Sequence, residues 1–266
     1  MPQIHATAIV ALGANLADDV VIGPYCVLGG QVELGAGVRL MSHVVVEGRT
    51  IIGEGTRIFP FASIGLEPQD LKYRGEDSSL SIGRHNTIRE YVTMNPGTEG
   101  GGMVTRVGDH GLFMVGVHVA HDCQIGDHVI MANNATLAGH VVVEDFALIG
   151  GLSAVHQFVR IGRHAMIGGM SGVERDVIPY GQVMGDRARL SGLNIIGMQR
   201  HGFSREDIQG LRSAYQFLFS AEGTFNDRVN EAAGRFGGIR PVDDMIAFIR
   251  SDSSRAICQP KGPNGG

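Results

Sequence analysis

His118, His121, His140 and His156 fall within one stretch of the chain, and Asp122 directly follows the second of them. A neutral imidazole near pH 7 is the side chain best suited to take a proton from an alcohol, and an adjoining carboxylate orients it and stabilises the imidazolium. A glycine N–H such as that of Gly139 can serve a developing oxyanion. There is no G-x-S-x-G elbow, and Cys26, Cys123 and Cys258 have neither metal nor disulfide spacing. The pattern therefore favours acyl transfer by general-base catalysis, with the acceptor attacking a thioester directly. Two other readings compete with it. Ordinary surface polarity accounts for His110, His128 and His164. A zinc site could start from His118 and His121, with its remaining ligands drawn from across a subunit boundary.

These histidines are spread over residues 118–156, so a repeat must bring them together. Every sixth residue from Ile4 through Val10, Leu16, Ile22, Leu28, Leu34, Leu40, Val46, Ile52 and Ile58 to Ile64 is aliphatic. The register continues at Ile82, Ile88 and Met94, slips by one, and resumes from Val107 to Val173. Four positions after nearly every anchor stands a small or β-branched residue, as at Ala8, Val20, Thr50 and Ala135. Cys26 and Cys123 occupy this same position and read as packing residues.

A six-residue period fits neither a 3.6-residue helix nor simple strand alternation. It fits a prism in which each hexad supplies one short strand and one corner, and three hexads close a coil; coils then stack at roughly 4.8 Å. Glycine after an anchor, as in Ile52-Gly53 and Ile125-Gly126, is expected to relieve the corner. In this frame the hexads VAHDCQ, LAGHVV and VHQFVR, beginning at Val119, Leu137 and Val155, stack on one face. His121 and Asp122 then lie one coil from Gly139 and His140, and two from His156 and Gln157.

Two segments break the repeat. Residues 65–81 (GLEPQDLKYRGEDSSLS) are expected to replace hexads without shifting the register, and QDLKY within them combines an acid, a base and an aromatic. Residues 95–106 (NPGTEGGGMVTR) cause the slip. The expected organisation is a β-helix over 1–190, a helical domain over 191–258 that caps the open end, and a flexible tail over 259–266. Ser204 and Asp207 form a capping box before one helix, and two more fall near 225–236 and 241–250.

The 266 residues are 43% hydrophobic and include 40 glycines without a Gly-X-Y period, which excludes collagen and implies many tight turns. A net charge of −5 gives no sign of a nucleic-acid partner. No apolar run approaches bilayer length, and the N-terminus lacks a charged n-region, so a soluble cytoplasmic protein is expected.

The stretches SHVVVEG, FASIG, QDLKY, AHDC, ANNATLAGH, AVHQF, SGV and GFSRE resemble the UDP-N-acetylglucosamine acyltransferase family over nearly the whole chain. The resemblance implies a mainly β protein, a left-handed parallel β-helix with a small C-terminal helical domain, assembled as a cytoplasmic homotrimer with sites between adjacent subunits. It implies transfer of a 3-hydroxyacyl chain from the phosphopantetheine of acyl carrier protein to the glucosamine 3-position of UDP-N-acetylglucosamine, the first step of lipid A biosynthesis, without cofactor or metal. By the same resemblance His121 is the base, Asp122 its orienting partner and Gly139 the oxyanion donor. His118, His140, His156 and Gln157 contact substrate or support the base. Gln69, Asp70 and Lys72 hold the sugar and phosphates, and Asn194 and Arg200 the nucleotide. Gly169 is the acyl-chain ruler, with Met170 and Arg187 beside it. Ile196 and His201 depart from the family's glutamate and second basic residue. The repeat begins at Ile4, so the N-terminal uridine-binding domain of the related N-acyltransferase is not expected. A carbonic-anhydrase-like trimeric metalloenzyme is the alternative from outside acyl transfer.

Overall fold

The computed structural model describes residues 1–220 and 223–261. Short strands, most of two residues and all parallel except the last, alternate with corners to form the three walls of a left-handed parallel β-helix, with 11, 9 and 8 strands respectively among the described residues. Ile22 pairs with Leu40 on the first wall, Leu28 with Val46 on the second and Leu34 with Ile52 on the third, so three hexads make one coil. The anchors and the small residues four positions after them line a common axis; Ile52, Ile58, Ala62, Ile64, Cys123 and Ala135 are all fully buried. At the first coil nothing stacks beneath, and Ile4 is 44% exposed.

The corner residue three positions after an anchor adopts the left-handed conformation even when it is not glycine, as at Tyr25 (φ 59°), Asp122 (φ 60°) and His140 (φ 61°). Glycine directly after an anchor does something else than relieve the corner. A Cβ on Gly53 would lie 2.6 Å from the Gly83 carbonyl oxygen of the next coil, so its absence permits close approach.

Both insertions leave from one corner, between the second and third walls. The first runs from the second-wall strand Ser63–Ile64 to the third-wall strand Ser79–Ile82, and Ile82 pairs with Ile52. No hexads are replaced: the loop is extra chain added at a single corner, a distinction that a six-residue register does not make. One coil on, the second insertion joins Thr93–Met94 to Val104–Val107 at the same corner. The next coil places His121 and Asp122 there.

The helical end closes with an antiparallel hairpin, Gly181–Met184 with Arg189–Leu193, followed by α1 (Ile195–Arg200), α2 (Arg205–Leu218), α3 (Phe225–Phe236) and α4 (Arg240–Arg250). The Ser204–Asp207 capping box opens α2. The short α1 lacks the apolar periodicity that marks the others; Asn194 caps it, accepting from the Gly197 N–H. Beyond α4 the chain returns to the β-helix. Asp176 is fully buried and accepts from Arg160 Nε (2.7 Å) and Ser253 Oγ (2.6 Å), while Arg160 also lies over the Phe248 ring. Gln259 and Pro260, expected within a flexible tail, are instead pinned. The Leu190 N–H donates to the Gln259 carbonyl at 3.0 Å, and Pro260 bridges to Leu190. Residues 262–266 of that expected tail lie outside the described residues.

At the corner between the third and first walls, His85, His110, His128, Phe146, His164 and Tyr180 form a stack with centroids 4.7–5.5 Å apart. His110, His128 and His164 are thus not scattered surface polarity. They act as flat rings at the coil spacing. Burial, with His201 and Arg163 adding to it, lowers the His164 pKa to about 4. An unfolded chain protonates this imidazole near pH 6.5, so stability is complete above that value and is lost as pH falls toward about 4. The loss is on the order of 3 kcal/mol. His164→Phe, which preserves the stack, should flatten this loss in denaturant titrations at pH 7 and pH 4.5. An equal loss in both proteins would contradict the assignment.

Candidate active site

His121 Nδ1 lies 2.8 Å from Asp122 Oδ2. A carboxylate only accepts, so Nδ1 carries a proton, and in the neutral imidazole the lone pair is on Nε2. The second insertion fixes Asp122 from the other side: the Thr98 N–H donates to Oδ1 at 2.9 Å and the Thr98 hydroxyl to Oδ2 at 2.6 Å. The Asp122 N–H donates in turn to Thr105 Oγ1 at 2.7 Å. His121, Asp122, Thr98 and Thr105 are all buried, so this network is screened from solvent.

Gly139 lies one coil further along. A Cβ there would stand 2.4 Å from His121 Cε1 and 2.6 Å from Nε2, so any side chain would displace the imidazole. The Gly139 N–H meets no acceptor among the described residues. His140 stacks on Phe158 at 4.4 Å and meets His121 edge-on at 5.0 Å. Burial lowers the His140 pKa, opposed by the charge of Asp122. His118 Nδ1 is 2.7 Å from Thr93 Oγ1, and burial, reinforced by His121, lowers its pKa too. Both rings therefore favour the neutral form.

The first insertion reaches the same place. Asp70 Oδ2 is 3.9 Å from His121 Nε2, and Asp70 Oδ1 accepts the Lys72 N–H at 3.0 Å. Gln69 and Lys72 are exposed beside it, as are His156 and Gln157 on the coil beyond Gly139. The structure thus gathers Gln69, Asp70, Lys72, His118, His121, Asp122, Gly139, His140, His156 and Gln157 along one edge.

It does not bring the remaining expected residues to that edge. Gly169 and Met170 sit at the corner between the first and second walls, Met170 being 73% exposed. Arg187 is in the turn of the end hairpin, which folds over Gly172; the Gly172 N–H donates to the Gly185 carbonyl at 3.0 Å. Along the second wall from His118 toward that hairpin, successive outward residues shrink from Thr136 to Ala154 to Gly172. Asn194 and Arg200 line a cavity of about 890 Å³ on the first wall, with Leu112, Ile130, Leu148 and Met166. Both ends of the Asn194 amide are engaged within the chain, by the His164 carbonyl and the Gly197 N–H. Ile196 and His201 line this cavity as well, and His201 packs edge-on against Phe146 and His164.

Thr98 and Thr105 escaped the sequence reading. Thr98 stands four positions after Met94, the slot of the small inward residues, but a slip in register does not reveal its partner. His121, Asp122 and His140 could hold a metal ion, their ligand atoms lying within 4.8 Å of one another; His118, expected in a zinc set, is not among them. Asp122 already accepts three hydrogen bonds. Three of the roughly four lone-pair sites of the carboxylate are thereby taken, one of them by His121 Nδ1.

Comparison with known proteins places the chain among the hexapeptide-repeat transferases. A family model described as bacterial transferase hexapeptide matches residues 13–48, and one described as UDP-N-acetylglucosamine O-acyltransferase, domain 2, matches residues 176–258. An acyl-[acyl-carrier-protein]–UDP-N-acetylglucosamine O-acyltransferase of Rickettsia canadensis is 54% identical over 96% of this chain and 97% of its own length. The Caulobacter vibrioides protein of the same name is 52% identical over 97% and 98%. The solved UDP-N-acetylglucosamine acyltransferase of Francisella novicida superposes with a TM-score of 0.93 at 35% identity, covering 99% of this chain and 95% of its own. The chain belongs to the acyl-[acyl-carrier-protein]–UDP-N-acetylglucosamine O-acyltransferase family.

Thr98→Val removes the hydroxyl donor to Asp122 while keeping the shape. A hydrogen bond to a charged group is worth about 1.5–3 kcal/mol, so turnover should fall roughly ten- to a hundredfold if that orientation is lost, with circular dichroism unchanged and the melting temperature lowered by several degrees. Turnover equal to that of the unaltered protein would remove Thr98 from the machinery.

Proposed function

We propose that this protein transfers a 3-hydroxyacyl chain from acyl carrier protein to the 3-hydroxyl of the glucosamine in UDP-N-acetylglucosamine, the first step of lipid A biosynthesis. The observation that carries the mechanism is the His121–Asp122 pair, which in the neutral imidazole puts the proton on Nδ1 and the lone pair on Nε2. His121 Nε2 takes the proton of the sugar hydroxyl as its oxygen attacks the thioester carbonyl. The Gly139 N–H, which meets no acceptor among the described residues, donates to the tetrahedral oxyanion. Collapse breaks the C–S bond, and the departing thiolate of the carrier's phosphopantetheine takes the proton back from the imidazolium.

Direct attack is supported by the state of the cysteines. Cys26, Cys123 and Cys258 are buried, and their thiols donate to the carbonyls of Met41, Ala138 and Ala188. Burial pushes the Cys123 thiol up to about 12, so none is poised as an acyl-accepting nucleophile.

Gln69, Asp70 and Lys72 then hold the sugar and phosphates next to the base, and His118, His140, His156 and Gln157 support base and substrate. Asn194 and Arg200 serve the nucleotide. Their first-wall cavity and the His121 edge lie at different sides of one prism, which supports a homotrimer in which the cavity of one copy faces the catalytic edge of the next. The acyl chain runs along the second wall past Thr136, Ala154 and Gly172 toward Gly169, Met170 and Arg187. No helix among the described residues is long and apolar enough to cross a membrane.

His121→Ala should remove nearly all turnover while circular dichroism and oligomeric mass stay unchanged; substantial residual turnover would refute the base assignment. A Cβ on Gly169 would rest 3.3 Å from the Gly151 carbonyl oxygen, so a longer side chain must project outward into the chain path. Gly169→Met should therefore shift preference toward shorter acyl chains in a carrier panel. Unchanged preference would take Gly169 out of the ruler.

A further inference from the structure

The segment after α4 touches the catalytic edge. Arg255 donates from one terminal guanidinium nitrogen to His156 Nδ1 at 2.7 Å and from Nε to the Gln157 carbonyl at 3.0 Å. The segment is fixed on both sides of this residue. The Arg255 N–H donates to Ser253 Oγ at 3.0 Å, and that hydroxyl donates to the buried Asp176 carboxylate. The Cys258 N–H donates to the Asp176 carbonyl at 2.7 Å, and Ile257 bridges to Asp176. Asp176 itself is held by Arg160, so Arg255 is presented by a rooted strap.

A guanidinium has five donors and no acceptor. His156 Nδ1 must therefore accept from it, and the imidazole proton resides on Nε2. The alternative, Nδ1 donating to the Gln157 carbonyl at 3.3 Å, is the longer contact and would set an N–H against the guanidinium N–H. We propose that Arg255 is a positioning residue that holds His156 in the Nε2–H tautomer, making it a hydrogen-bond donor to substrate at the catalytic edge and not a second base. This rests on the acyl-transfer reading of that edge. It also gives the helical segment a task in the reaction, in addition to closing the β-helix.

A double-mutant cycle tests the coupling. Arg255→Ala and His156→Ala should each lower kcat/KM about tenfold, the size expected for one charge-assisted hydrogen bond, and the double variant should be no slower than the slower single one. Millimolar guanidinium should restore much of the Arg255→Ala rate but none of the double variant's. Arg255→Gln, which keeps most of the bulk, should behave as Arg255→Ala does. Additive losses, failure of guanidinium rescue in both Arg255 variants, or an Arg255→Ala rate equal to that of the unaltered protein beside a slow His156→Ala would overturn the positioning role. A His156→Ala protein at full rate would instead remove His156 from the reaction, and with it that part of the acyl-transfer reading.

Discussion

Backbone hydrogen bonds between successive coils, such as the His140 N–H to the His121 carbonyl at 3.0 Å and the Phe158 N–H to the Gly139 carbonyl at 3.2 Å, fix the positions of the functional groups. They hold corners in vertical columns, so residues far apart along the chain become neighbours at the coil spacing. The column gives His121 a bare glycine to lie on and His140 a ring to stack against. The same ladder works at another corner to stack four histidines with Phe146 and Tyr180. A regular solenoid cannot by itself reach over its own edge to orient a side chain. Here two extra loops do so, both from the corner that carries the histidine–aspartate pair.

The loops divide the work. The second supplies Thr98, which secures Asp122 from behind by two donors, and the first brings Asp70 to the open face of the imidazole. A third arm arrives from the far end of the chain, where the buried Arg160–Asp176 pair anchors the strap bearing Arg255. A buried ion pair of this kind contributes little net stability, yet breaking it by removing one partner typically costs 3–5 kcal/mol. Its value here is geometric, since it sets where the C-terminal strap meets the β-helix.

Much of this was legible in the residue pattern, and the parts that were not have physical reasons. The aliphatic hexads dictate a prism because only that shape buries every sixth side chain, and the resulting columns predict that His121, Gly139 and His156 share an edge. A register counted in sixes does not say which wall a residue occupies. The first insertion therefore looked like replaced hexads, although Ile82 pairs with Ile52 and nothing is lost. Thr98 was hidden because its partner lies one coil away, and Arg255 because its partner lies at the opposite end of the sequence. His110, His128 and His164 looked like surface polarity because a single histidine carries no sign of the ring above or below it. Asn194 was assigned to the nucleotide from resemblance, and its capping of α1 became visible only with the helix in place.

We propose that the neutral imidazole of His121, oriented by Asp122, receives the proton of the acceptor hydroxyl at Nε2. A crystal structure with UDP-N-acetylglucosamine bound tests it most directly. The glucosamine 3-oxygen should stand about 3 Å from His121 Nε2, within reach for proton transfer, with the nucleotide extending to the Arg200 cavity of a neighbouring copy. A sugar bound well beyond hydrogen-bond reach of Nε2, or seated entirely within one chain's first-wall cavity, would contradict it.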